Sequence, residues 1–294
     1  MAVHPVVVLE AVASVADLAV VDSRAAVRAE VGKFNSIVML RFYSLLLALF
    51  FNNFTFSQAP NFEKDVEYYS DLIAKDPSAN NYYFRGYSKY NLKDYYGALE
   101  DYNKALELEP KSFEVYFSRG IVFEKLEQFE DAIEDYSKCI LLNSYSSKAF
   151  FNRAYTKSLK KDYIGALEDY TSCISLSPEN HDAYFNRGMI QKFFSHFEKA
   201  ISDFDQAIKI KPDFIEAYQN RAILKSQLKN KDALNDFNKV IALNPKEAES
   251  YYNRAIYFIN NNIKGDYCSD LTKAFQLGFE AAYEPLNDLC NKKK

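Results

Sequence analysis

The stretch HDAYFNRGMIQKFFSHFEKAISDFDQAIKIKPDF, His181 to Phe214, decides the fold, because variants of it return along the chain. Its core phrase Tyr-Phe-Asn-Arg-Gly, residues 184–188, comes back with the Arg at 85, 119, 153, 187, 221 and 254. The steps are 34, 34, 34, 34 and 33. An Asp follows at 101, 135, 169, 203, 236 and 270, and the short step reflects one residue missing between Leu228 and Ala233. A fixed period of this length marks an array in which each unit buries its apolar face on its neighbours.

With units starting at Ala79, Phe113, Ser147, His181, Ile215 and Ala248, positions 4, 8 and 11 fall at helical spacing, as do 20, 24, 27 and 28. Each unit therefore reads as two helices. Position 8 is always small: Gly86, Gly120, Ala154, Gly188, Ala222 and Ala255. Position 20 is Ala98, Ala132, Ala166, Ala200 and Ala233, which lets two helices approach closely. A ring at position 24 fills the gap: Tyr102, Tyr136, Tyr170, Phe204 and Phe237, with Leu271 last. Pro110, Pro178, Pro212 and Pro245 end the second helices, since proline cannot continue one.

This pattern resembles the tetratricopeptide repeat. The resemblance covers about 200 residues in six copies (79–112, 113–146, 147–180, 181–214, 215–247, 248–281), with a half repeat at 61–78 and a capping helix and tail at 282–294. It implies an all-α fold, a right-handed superhelical solenoid of antiparallel helix pairs. Departures are the absence of Trp at position 4, Arg in place of the usual Leu at position 7, Ser144 in place of Pro, and Tyr267 in place of Ala.

On a helical wheel the six Arg flank the packed side of the first helix, and the six Asp flank the stripe of the second. Arg85–Asp101, Arg119–Asp135, Arg153–Asp169, Arg187–Asp203, Arg221–Asp236 and Arg254–Asp270 are expected to meet as structural ion pairs at the seam. The other reading is a row of Arg gripping an anionic ligand, which an Asp beside each one would neutralise.

Positions 2, 5, 6, 9 and 13 lie opposite the packed side, and the resemblance places that side in a concave groove. Asn152, Asn186, Asn220 and Asn253 occupy position 6 in four successive units. A primary amide donates and accepts, so such a row can pair with the backbone of an extended peptide. Rings at position 5, among them Phe117, Phe151, Phe185 and Tyr252, would line the same wall; the alternative is that neighbouring helices cover them. The family's clamp for terminal carboxylates needs Lys or Arg at positions such as 5 and 9, which are aromatic, aliphatic or Gln here, so that activity is not expected.

Ahead of the repeats the composition changes. In residues 1–38, 19 are Ala or Val, which reads as an amphipathic leader or as sequence before a true start at Met39. Residues 39–57 have the layout of a signal peptide: Arg41, an apolar run Phe42 to Phe51, then Thr55 and Ser57 as a small-x-small cleavage site before Gln58. Ten apolar residues span only about 15 Å as a helix, short of a ~30 Å bilayer core. Export to a periplasmic or extracellular location is expected, with no stable membrane span after cleavage. Cys268, on the last repeat's second helix, and Cys290, on the cap, could then bond, whereas Cys139 and Cys173 sit at position 27 as small apolar residues.

Composition excludes several classes. Eight Gly among 294 residues argue against an all-β chain and against glycine-rich phosphate loops. A net charge of −4 gives no case for nucleic acid. His4, His181 and His196 form no zinc spacing and no catalytic constellation, so no metal, cofactor or enzymatic activity is expected. The expected role is an exported interaction scaffold of bacterial type that binds a peptide or protein segment; the alternative is a structural or assembly factor of a cell-envelope complex.

Overall fold

The computed structural model describes residues 61–291. The expected leader, signal stretch and cleavage site lie outside the described residues. Fourteen α-helices and no strand occur among those residues. A lone helix α1 (Phe62–Lys75) comes first. Six pairs follow: α2 (Ala79–Asn91) with α3 (Tyr95–Leu108), α4 (Phe113–Lys125) with α5 (Phe129–Leu142), and α6 (Ser147–Leu159) with α7 (Tyr163–Leu176). Then come α8 (His181–Phe193) with α9 (Phe197–Ile210), α10 (Ile215–Gln227) with α11 (Ala233–Leu243), and α12 (Ala248–Asn260) with α13 (Tyr267–Gln276). Each first helix packs on its own second helix, and each second helix on the next first helix, giving a solenoid.

Local chemistry fixes the helix ends. Ser78, Asp94, Ser146, Asp162, Asn180 and Asp266 accept the N–H three residues on, satisfying an otherwise unpaired donor. Every first helix stops at a left-handed residue at position 15: Lys93, Glu127, Lys161, Ser195, Lys229 and Asn262, with φ between 50° and 67°. The turn geometry repeats even though no glycine serves it. The prolines stand two residues past the second helices, yet α5 ends at the same register before Ser144.

The core is built from positions 8, 20, 24 and 27. Ala98, Ala132, Ala166, Ala200 and Ala233 are fully buried, as are Cys139 and Cys173, whose thiols burial pushes up to about 12. The ring at position 24 presses on position 8 so closely that a Cβ on Gly120 would lie 2.8 Å from Tyr136. Positions 3 and 10 are buried as well, for example Val122, Thr156, Ile190 and Leu224. The sequence pattern did not single them out, because their residue type varies from repeat to repeat.

One interaction recurs six times. The Arg at position 7 gives Nε and Nη2 to both oxygens of the Asp at position 23, at 2.5 to 3.1 Å. Its Nη1 donates to the preceding second helix: Ser70, Asn103, Ser137, Thr171, Asp205 and Asn238 accept at 2.6 to 3.2 Å. The guanidinium also lies over the ring at position 4, 5.3 to 5.9 Å from its centroid. One side chain thus ties three helices and two repeats.

The end of the array departs from a single capping helix. Glu280–Ala282 is a 3-10 turn, α14 covers Tyr283–Leu286, and Asn287–Asn291 widens to a π-turn. Pro285 has no N–H to return toward residue 281, and the run changes pitch around it. Cys268 and Cys290 are joined as a disulfide, with Cα atoms 5.8 Å apart.

The Asp side chains are only 3–7% exposed, so removing their cation is costly. Asp135 pairs with Arg119 alone, whereas Asp169 also has Lys157 at 2.8 Å. Arg119→Met should lower stability in chemical denaturation by about 3 kcal/mol, and Arg153→Met by clearly less. Equal losses would contradict this reading of the seam.

Candidate functional site: the groove wall of the first helices

The residues opposite the seam divide into three groups. Position 5 is not free wall. Four of the five rings there pack on the position 24 ring of their own repeat: Tyr83 on Tyr102, Phe117 on Tyr136, Phe151 on Tyr170 and Phe185 on Phe204, at 5.7 to 5.9 Å. Phe185, expected on the groove wall, is only 5% exposed and also packs against Phe214. Phe117 and Phe151 remain half-buried, and Lys148 Nζ stands 4.8 Å over the Phe117 ring. Tyr252 leans on Phe279 near the end of the last repeat. At about 100° per residue, position 5 lies one step round from position 4, at the edge of the apolar stripe rather than opposite it.

The four Asn at position 6 are half-buried, but their surroundings differ. Asn220 is engaged on both sides: its NH2 donates to the Glu216 carbonyl at 2.9 Å, and its oxygen accepts from Lys192 Nζ at 2.7 Å. Asn253 donates to Glu249 at 3.4 Å. Asn152 lies beside the Tyr136 hydroxyl, and its own carbonyl accepts from Thr156 Oγ1 at 2.8 Å. Asn186 makes no side-chain bond within the described residues.

Position 12 extends the 5–9 stripe by one turn and went unnoticed in the sequence. It holds Tyr90, Glu124, Ser158, Lys192, Ser226 and Ile259, two of them charged on a wall otherwise neutral at that level. Burial pushes Lys192 below the ordinary lysine range, opposed by Glu249. Burial pushes Glu124 up to about 7, against the opposing effects of Thr156, Tyr136 and Lys125.

Thr156 stands between the Glu124 carboxyl and the Asn152 carbonyl. Thr156 Oγ1 carries one proton, yet it lies within bonding distance of both Glu124 Oε1 and the Asn152 carbonyl. It can donate to only one of them at a time, and its bond to Glu124 is among the effects that oppose the raised value.

Comparison with known proteins places the fold. Residues 86–127 match a family model described as TPR repeat, residues 113–146 one described as Tetratricopeptide repeat, and residues 147–180 and 181–214 another so described. Among solved structures, MamA protein is 26% identical with a TM-score of 0.54 over 58% of this chain and 94% of that one. The C-terminal part of a TPR repeat-containing protein from Cytophaga hutchinsonii is 19% identical, with a TM-score of 0.68 over 84% of this chain and 98% of that one. YrrB, described as a TPR protein with an unusual peptide-binding site, is 18% identical, with a TM-score of 0.56 over 62% and 94%. No curated protein matches the chain. The fold is that of a solenoid of antiparallel helix pairs. Residues 86–214 carry tetratricopeptide repeats.

The Glu124 environment has a consequence for stability. A carboxyl whose folded value is raised stabilises the protein below its unfolded value, and that contribution is lost as pH rises through the folded value. Between pH 5 and 8 the wild type should lose about 2–3 kcal/mol relative to Glu124→Gln in urea denaturation. Parallel pH profiles for the two proteins would show that Glu124 is solvated like a surface carboxylate.

Proposed function

We propose that the chain is a non-enzymatic scaffold that holds an extended peptide or protein segment along the wall formed by its first helices. The observation that carries this reading is the Asn186 amide, half-buried at position 6 with no side-chain partner among the described residues, in line with the Asn152 amide one repeat earlier. Two such groups at one repeat's spacing offer donors and acceptors to a passing backbone. The YrrB structure, described as having a peptide-binding site, shares the fold and supports a peptide as the kind of ligand.

In this reading the row rests on Asn152 and Asn186. Asn220 holds Lys192, so its loss removes the acceptor of a partly buried ammonium. Asn152→Ala with Asn186→Ala should weaken peptide binding roughly 5- to 150-fold, at ~0.5–1.5 kcal/mol per net hydrogen bond, with little change in melting temperature. Asn220→Ala should lower the melting temperature. A double variant that binds like wild type, or melts early without losing affinity, would remove position 6 from the binding surface.

The scaffold is an exported one in this reading. The signal-like run at 39–57 supports it, as does the Cys268–Cys290 bridge, since disulfides persist in oxidising compartments. Among the described residues no helix is long and apolar enough to cross a membrane. N-terminal sequencing of protein made in its own host should begin at Gln58; intact material carrying residues 39–57 would contradict export by this signal.

A further inference from the structure

We propose that the Glu124 carboxyl, with the Tyr136 hydroxyl behind it, is a recognition point for one basic side chain, lysine or arginine, of the segment held on the groove wall. This rests on the groove reading above and names the chemistry that it selects.

Two independent features of the site lead there. First, Tyr136 is 0% exposed, and its hydroxyl stands close enough to Glu124 and Asn152 to act on them yet reaches the geometry of a full hydrogen bond with neither. A buried hydroxyl without a partner costs about 1–3 kcal/mol, so a native site that keeps one invites an explanation. Second, Glu124 is a carboxyl largely withdrawn from water that makes no ion pair among the described residues. The six seam carboxylates, more deeply buried still, each have an Arg.

The groups that face Glu124 are neutral on every side. On α5 it meets Tyr136; on α6 Asn152, Tyr155 and Thr156; on α7 Tyr170. From α2 and α3, Tyr83 and Tyr102 turn to Ser118. The one cation acting on it is Lys125 on its own helix, an exposed side chain. What the site lacks is a cation.

A lysine ammonium or arginine guanidinium reaching Glu124 from the solvent side completes the chemistry. The carboxyl gives its proton to solvent and becomes a carboxylate. Thr156 and Tyr136 can then both donate to it, and the ligand cation takes the remaining lone pairs. No covalent bond changes; below neutral pH up to one proton is released for each segment bound. Both anomalies of the free protein, the raised carboxyl and the idle hydroxyl, vanish in the bound state.

The test uses a random twelve-residue peptide library, without histidine, selected at pH 8 against the full chain. Selected peptides should share one Lys or Arg at a common position. From pH 8 to pH 6 the affinity of such a peptide should fall about tenfold, the change in ionised fraction of a carboxyl titrating at about 7. In Glu124→Gln the basic preference and the pH slope should both disappear. Tyr136→Phe should lower affinity for the same peptide while melting no earlier than wild type, which a merely structural hydroxyl would not do. Peptides selected with no shared basic residue, or a slope that survives in Glu124→Gln, would overturn this proposal and leave the groove standing. Failure to select any peptide would overturn the groove reading and this proposal together.

Discussion

The array depends on the guanidinium at position 7. A solenoid of short helices has no long-range contacts to fix its register, so each interface must specify its own geometry. Apolar packing of Ala, Gly and a ring sets how close two helices come but is tolerant of sliding. The Arg removes that tolerance: a two-toothed bond to Asp within the repeat, a third bond to the preceding second helix, and a ring beneath its face. Burial pushes Asp135 and Asp203 above the ordinary carboxylate range even with Arg beside them. That balance fits a pair that specifies geometry more than it adds net stability.

Much of this was legible because identity repeats where geometry repeats. Six Arg and six Asp at fixed offsets, small residues at 8 and 20, and rings at 24 could be read as a seam directly from spacing. The third tooth could not. Its acceptors are Ser, Thr, Asn and Asp, four residue types joined only by being polar at position 25. Positions 3 and 10 were hidden for a similar reason, since Ser88, Val122, Thr156, Ile190, Leu224 and Tyr257 share depth but not chemistry.

The groove wall shows the limits of reading a wheel. Phe185 counts as a groove residue by angle, yet it is core, because a large ring at the edge of a stripe folds back onto the ring beside it. Asn220 counts as a ladder rung by identity, yet its amide already serves Lys192. Conversely Glu124 looks like any glutamate on a helix. Only its burial beneath the neighbouring helices, an effect that Thr156 and Tyr136 oppose, makes it a carboxyl of raised affinity for protons. Function here sits where the repeat is broken, on the few side chains that the regular seam does not use.

The claim that the first-helix wall is the binding surface can be measured without any substitution. Methyl resonances of Ile121, Met189 and Ile223 report on position 9 of that wall, and those of Leu141 and Ile164, 81% and 68% exposed, report on the second helices. On titration with a library-selected peptide, the account predicts saturable shifts at Ile121, Met189 and Ile223, with Leu141 and Ile164 unmoved. Shifts confined to Leu141 and Ile164 would place the partner on the other side of the array and contradict it.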